Sequence, residues 1–171
     1  ISELHAAVGL AQIRKLPKIL EIQKKNHYQL KNILSQVPEI SFRRVLDPEG
    51  DSHTFLSWFL PGEEITRAVI NEFKAQNIAG GHFYWFDNNW HYIRKWDHLK
   101  TGVTLNKLSE EHKKAVIHQA NKNFMLSDAV MSRCVSTAIS LGWTEEQIKD
   151  KGEKMVAVIK KILKQNAITA G

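Results

Sequence analysis

A single cysteine, Cys134, in a chain of 171 residues leaves no partner for an intrachain disulfide and no ligand set for a cysteine-based zinc site. A reducing compartment suits that usage, and the cytoplasm is the expected location. No stretch approaches the roughly 20 apolar residues of a membrane-spanning helix, so a transmembrane role is excluded. No n-region or cleavage signal of a secretory leader is present either. Lys and Arg outnumber Asp and Glu by 24 to 18, for a formal charge of +6, but they are scattered and form no long basic run. Nucleic acid is therefore not an expected partner. Internal repeats and low-complexity tracts are missing as well.

The short motifs of catalysis are also lacking. There is no G-x-S-x-G elbow, no Gly-rich phosphate loop and no convincing carboxylate pair. His82, His91 and His98, with Asp87 or Asp97 as oxygen donors, offer the types of group that bind zinc. Their spacing matches no H-E-x-x-H or similar ligand pair, and no dedicated metal site is expected. Cys134 falls in a strand-like pattern and reads as a small core residue.

Composition is that of a soluble globular protein, with 43% hydrophobic and 25% charged residues. The length suits one domain, long enough to bury roughly 70% of its unfolded surface. Residues 1 to 37 read as one long helix, with Leu4, Val8, Leu16, Ile19, Leu20, Leu30, Ile33 and Leu34 at steps of three and four. Pro17 predicts a kink or a restart within it. "ISFRRVL" and "HTFLSWFL", separated by "DPEGDS", predict a hairpin. "EEITRAVINEFKAQN" predicts an amphipathic helix with Ile65, Val69 and Phe73 inward, ended by Gly80 and Gly81.

"HFYWF" follows as a third strand, with His82, Tyr84 and Phe86 on one face and Phe83 and Trp85 on the other. A further helix starts at the cap Ser109 and carries Val116, Ile117, Ala120 and Phe124 inward, and "CVSTAISL" reads as a strand with one crowded face. Thr144 and Gln147 predict a capping box, flanked by Trp143 and Ile148 as a hydrophobic staple, for a last helix with Ile148, Met155, Ile159 and Ile162 inward. The order αββαβααβα implies an α+β fold, a small antiparallel sheet covered by helices and preceded by the long kinked helix.

Residues 80 to 98, "GGHFYWFDNNWHYIRKWDH", hold seven of the chain's fifteen Phe, Tyr and Trp residues. A pure core pairs rings with aliphatic groups, whereas these alternate with His, Asp, Asn, Arg94 and Lys95, the mixture that lines polar-ligand pockets. Large aromatics are also ordinary structural residues, and an aromatic, basic strand can stack unpaired bases. The RNP-type pattern of RNA-binding sheets is missing.

"ISELHAAVGLAQIRKLPKI", residues 1 to 19, resembles the stretch of DegT/DnrJ/StrS-type sugar aminotransferases that follows their Asn-x-Arg element: a Ser-Glu-x-x-Ala-Ala helix leading into Gln-x-x-Lys-Leu. "KAQNIAGGHFYW" is similar to that family's helix followed by a strand bearing His and Tyr. "NNWHYIRKWDHLK" and "SLGWTEEQI" look like the branch that aminates 8-carbon sugar acids, the 8-amino-3,8-dideoxy-octulosonate aminotransferases of lipopolysaccharide synthesis.

The resemblance implies transfer of an amino group, usually from glutamate, to a keto sugar through pyridoxal phosphate held on a lysine, in a homodimer. Residues 1 to 37 would lead in from a large cofactor domain and residues 38 to 171 would form the small C-terminal domain. None of the chain's lysines matches the Schiff-base position, which lies upstream in the family, so the 171 residues alone are expected to be inactive. Of the residues here, the resemblance implies that His82 and Tyr84 hydrogen-bond the sugar, that Trp90 and His91 close over it, and that Arg94 pairs with a sugar-acid carboxylate. The plainer roles are core packing for Tyr84 and Trp90, local hydrogen bonding for His82 and His91, and a solvated position for Arg94. The alternatives are a related sugar 3-dehydratase, in which histidine replaces the lysine, and a stand-alone α+β module for an anionic ligand or single-stranded RNA.

Overall fold

Ser2 caps the first helix by accepting the His5 N–H, and Glu3 in the opening turn suits the positive end of the dipole. The computed structural model describes residues 2–78, 81–88 and 90–169. Gly80 of the expected Gly80-Gly81 break, its neighbour Ala79, Asn89 of the aromatic run and the outermost terminal residues lie outside them. Helix α1 spans Glu3–Leu34, followed by β1 (Ser41–Phe42), β2 (Phe55–Phe59) and α2 (Glu63–Ala75). Next come β3 (His82–Phe83), 3-10 turns at Trp85–Asp87 and Ile93–Lys95, and α3 (Asp97–Thr101). Helices α4 (Glu110–Ala120) and α5 (Met125–Met131), strand β4 (Cys134–Ala138) and helix α6 (Glu145–Thr169) follow. The fold is α+β, with an antiparallel sheet in the order β1-β2-β4-β3.

Helix α1 runs through Pro17 without the expected restart. One missing N–H costs one rung of the ladder, and the helix formers Arg14, Lys15, Leu16, Lys18 and Leu20 on either side keep the turns closed. Only the inner part of α1 is buried, through Gln23, Asn26, His27, Leu30 and Leu34. Leu4, Val8 and Ile13 are exposed, Ile13 by 67%. The helix ends at Leu34, and the residues to Val37 continue as tight turns in which Gln36 and Val37 bond back three residues.

One face of the sheet carries Leu56, Trp58, Val135 and Thr137 towards α1, α2 and α6. There the core closes around Leu30, Leu34, Val69, Phe73, Met155 and Ile159. Gly152 lets α6 approach α1, since a Cβ there would lie 2.8 Å from Cγ2 of Ile33. The capping box of α6 forms as expected, with the Thr144 N–H donating to Gln147 Oε1 at 3.0 Å and the Gln147 N–H to Thr144 Oγ1 at 3.2 Å. Helix α4 begins on its Ser109 cap but stops at Ala120, so Phe124 precedes α5 instead of extending the inner stripe.

The third strand is much shorter than "HFYWF". After Phe83 the chain turns into the 3-10 segment, with the Asp87 N–H donating to the Tyr84 carbonyl at 3.2 Å. Two side-chain anchors turn it: Tyr84 bonds back to the end of α5 and Asp87 is drawn to α2. Three short helices, where two were expected, then connect β3 to β4.

Candidate functional site

The pleat sends His82 to the helix-packed side of β3, because its β4 partner is Thr137. Its Nδ1 lies 3.1 Å from Thr137 Oγ1, which also accepts the Trp58 Nε1–H at 3.1 Å. The His82 ring packs 4.8 Å from the Phe73 ring, centre to centre. Its Nε2 is buried with no hydrogen-bond partner among the described residues. Burial, with the charge of Lys151 adding to it, pushes the imidazole down to about 3, so the ring is neutral near pH 7.

Tyr84 donates its hydroxyl to the Ser132 carbonyl at 2.8 Å, and burial pushes its phenol up to about 12. It stays protonated and is no general base at ordinary pH. Above its ring, at 5.2 Å, lies the Arg67 guanidinium. Arg67 grips Asp87 with both arms, at 2.6 and 3.1 Å, and Glu63 with Nε at 2.8 Å. The sequence reading missed this clamp; its visible half was the i, i+4 pair Glu63 and Arg67 on a predicted helix. Arg67, Asn71, Lys74, His82, Tyr84 and Asn88 line a cleft of about 290 Å3 at the β3 edge.

His91 packs on the other side of the sheet. Asn88 Oδ1 accepts the Trp90 N–H at 2.7 Å and lies 3.2 Å from His91 Nδ1. The His91 ring meets Trp85 edge-on at 4.6 Å, and Trp85 stacks on Phe83 at 5.0 Å. Trp90 is 83% exposed. His82 and Tyr84 thus share one cleft, whereas His91 joins the ring cluster on the opposite face. Asn88 connects the two.

Arg94 is turned elsewhere. Its Nε lies 2.5 Å from Asp128 Oδ1, its Nη2 meets Asp128 Oδ2, and Tyr92 donates its hydroxyl to the same carboxylate. The fork that could hold a sugar-acid carboxylate already holds one from α5. Its contacts fasten Ile93–Lys95 to α5.

Among the described residues no group of three His, Cys, Asp or Glu could hold a metal ion. Cys134 is buried, and burial raises its thiol, which keeps it protonated. No helix among them is long and apolar enough to cross a membrane.

The profile of the DegT/DnrJ/EryC1/StrS aminotransferase family matches residues 1–118, and the chain belongs to that family. Its members generally depend on pyridoxal phosphate. The buried lysine here, Lys151, is half of what such a site requires: burial pushes its amine down to about 8, and its Nζ lies 4.6 Å from the Trp143 ring centre. The carboxylate and second lysine of the same pocket, Asp150 and Lys154, are bonded to each other at 2.7 Å on the exposed side of α6 instead of being set around Lys151. The described residues do not fit that cofactor.

Proposed function

We propose, on the premise of that family membership, that this chain is the substrate-side portion of a pyridoxal phosphate-dependent aminotransferase acting on a keto sugar. Glutamate is the proposed amino donor and the octulosonate-type sugar acids of lipopolysaccharide synthesis the proposed substrates, in a cytoplasmic homodimer. Residues 1 to 37 form the connection to a cofactor domain that supplies the lysine and the phosphate cradle, and residues 38 to 171 form the small domain. The exposed apolar side chains of outer α1 support this, since Leu4, Val8 and Ile13 gain most by packing on a partner domain. The 171 residues by themselves are inactive on this reading.

The observation that carries the proposal is the buried, unpartnered Nε2 of His82, a residue that lines the cleft. Thr137 Oγ1 accepts the Trp58 N–H, and on this proposal its own proton goes to His82 Nδ1, so that the ring proton stands on Nε2. A sugar oxygen entering the cleft, with a small shift of the side chains over Nε2, completes that donor. Tyr84 holds the cleft wall against Ser132, and Asn88 at the cleft's rim ties it to Trp90 and His91, which lie outside it.

Separate half-reactions of the full-length enzyme test this. His82→Ala should slow the sugar half-reaction by about tenfold or more while leaving the glutamate half-reaction within about twofold, since a donor serving one substrate enters one transition state only. Equal losses in both would overturn the role.

A further inference from the structure

The sheet face away from the helices carries Phe55, Ser57 and Phe59 opposite Ala138, Ser136 and Cys134. At its centre Ser57 Oγ lies 2.7 Å from Ser136 Oγ. Serine is a weak strand former and buries little apolar surface, so two of them facing one another mid-sheet contribute little to folding. Their hydroxyls floor a groove of about 340 Å3. Phe55 and Trp85 flank one side of it, with ring centres 6.3 Å apart. Arg43 and Asp51 stand on the other, 3.4 Å from nitrogen to oxygen. Ser52 and Thr54 add a second hydroxyl pair at 3.1 Å.

These groups are held in place. The Arg43 N–H donates to the Ser57 carbonyl at 3.1 Å, and Asp51 Oδ1 accepts the His53 N–H at 3.2 Å. A guanidinium has five N–H donors, and the described residues give Arg43 one long contact with Asp51. Such an arrangement matches one chemistry: ring surface for the apolar face of a pyranose, fixed hydroxyls and a carboxylate for its hydroxyl groups, and a half-exposed arginine for an anionic substituent.

We propose that this groove binds the ring of a sugar carrying a carboxylate or phosphate, at a site separated by β3 from the His82 cleft. The class of ligand agrees with the proposed keto-sugar activity and to that extent rests on it. Arg43, with one contact of 3.4 Å to Asp51, is less committed than Arg94, which grips Asp128 through two nitrogens.

The test is an amide and indole NMR titration of the complete protein with glucuronate, glucose 6-phosphate and uncharged glucose. Glucuronate or glucose 6-phosphate should shift Ser57, Ser136 and the Trp85 indole, and whichever shifts them more identifies the anion preferred. Glucose should bind about tenfold more weakly, the worth of one charge-assisted pair. Arg43→Met should lose a similar factor, and Ser57→Ala, which cannot disturb the exposed arginine, serves as a second variant. Shifts absent at ligand concentrations on the order of 50 mM, shifts confined to the His82 cleft, equal binding of glucose, or a groove already shielded by the rest of the protein would overturn the site. A silent groove together with a selective His82→Ala defect would remove this site and leave the proposed activity standing.

Discussion

The hydroxyl of Thr137 lies 3.1 Å from Nδ1 of His82, which joins the buried face of the sheet to the candidate cleft. Because the same oxygen receives the Trp58 indole N–H, replacing it orphans two polar groups in a place closed to water. Thr137→Val, close to equal in volume, should therefore destabilise the protein by about 1–3 kcal/mol for each group left unpaired, as read from urea melts. Thr137→Ser keeps the hydroxyl and should recover most of that loss.

Stability should fall as pH drops from about 6.5 towards 4. The folded state holds His82 neutral down to about 3 and His27 down to about 4, the latter chiefly by burial and then by His53 beside it. The unfolded chain takes up those protons near pH 6.5, so acid favours unfolding across that window, and above it the contribution is fully present. The thermal midpoint should drop by several degrees between pH 7 and pH 4.5, and His27→Gln with His82→Gln should flatten the profile. A flat profile in the unmodified protein would contradict this.

Gly152→Ala is expected to destabilise although alanine is the better helix former. The new methyl would meet Cγ2 and Cδ1 of Ile33 at 2.8 and 2.9 Å, and a β-branched side chain fixed in a helix has little room to turn away. The expected loss is about 1–3 kcal/mol by chemical denaturation, against the gain of about 1 kcal/mol that propensity alone gives.

Arg94→Gln and Asp128→Asn should behave alike. Both release the turn at Ile93–Lys95 from α5 and speed amide exchange there, with a global cost below about 1 kcal/mol because the pair is partly exposed. An Arg94→Gln defect in sugar binding far beyond that of Asp128→Asn would instead restore Arg94 to direct recognition.

What could be read from the sequence was local. The capping box of Thr144 and Gln147 spans three residues, the stripe of α2 follows one period, and the hairpin is bracketed by turn formers. The truncation of β3 could not be read that way, because the groups that end it come from elsewhere: Ser132 lies 48 residues from Tyr84, and Arg67 lies 20 from Asp87. Arg94 shows the same limit, since an arginine among aromatics looks available until α5 brings Asp128 to it from 34 positions away. The alternation of rings along residues 82 to 86 did survive the shortened strand: Phe83 and Trp85 stack together, as Tyr84 and Phe86 meet on the other side.

Pro17 has no N–H to offer the carbonyl of Ile13, and it sits where α1 is leaving the body of the protein. Bending is cheapest at a missing rung. The outer length of the helix is thus an arm with a built-in elbow, whose angle follows whatever its leucines rest upon, while the inner length stays fixed by Leu30 and Leu34.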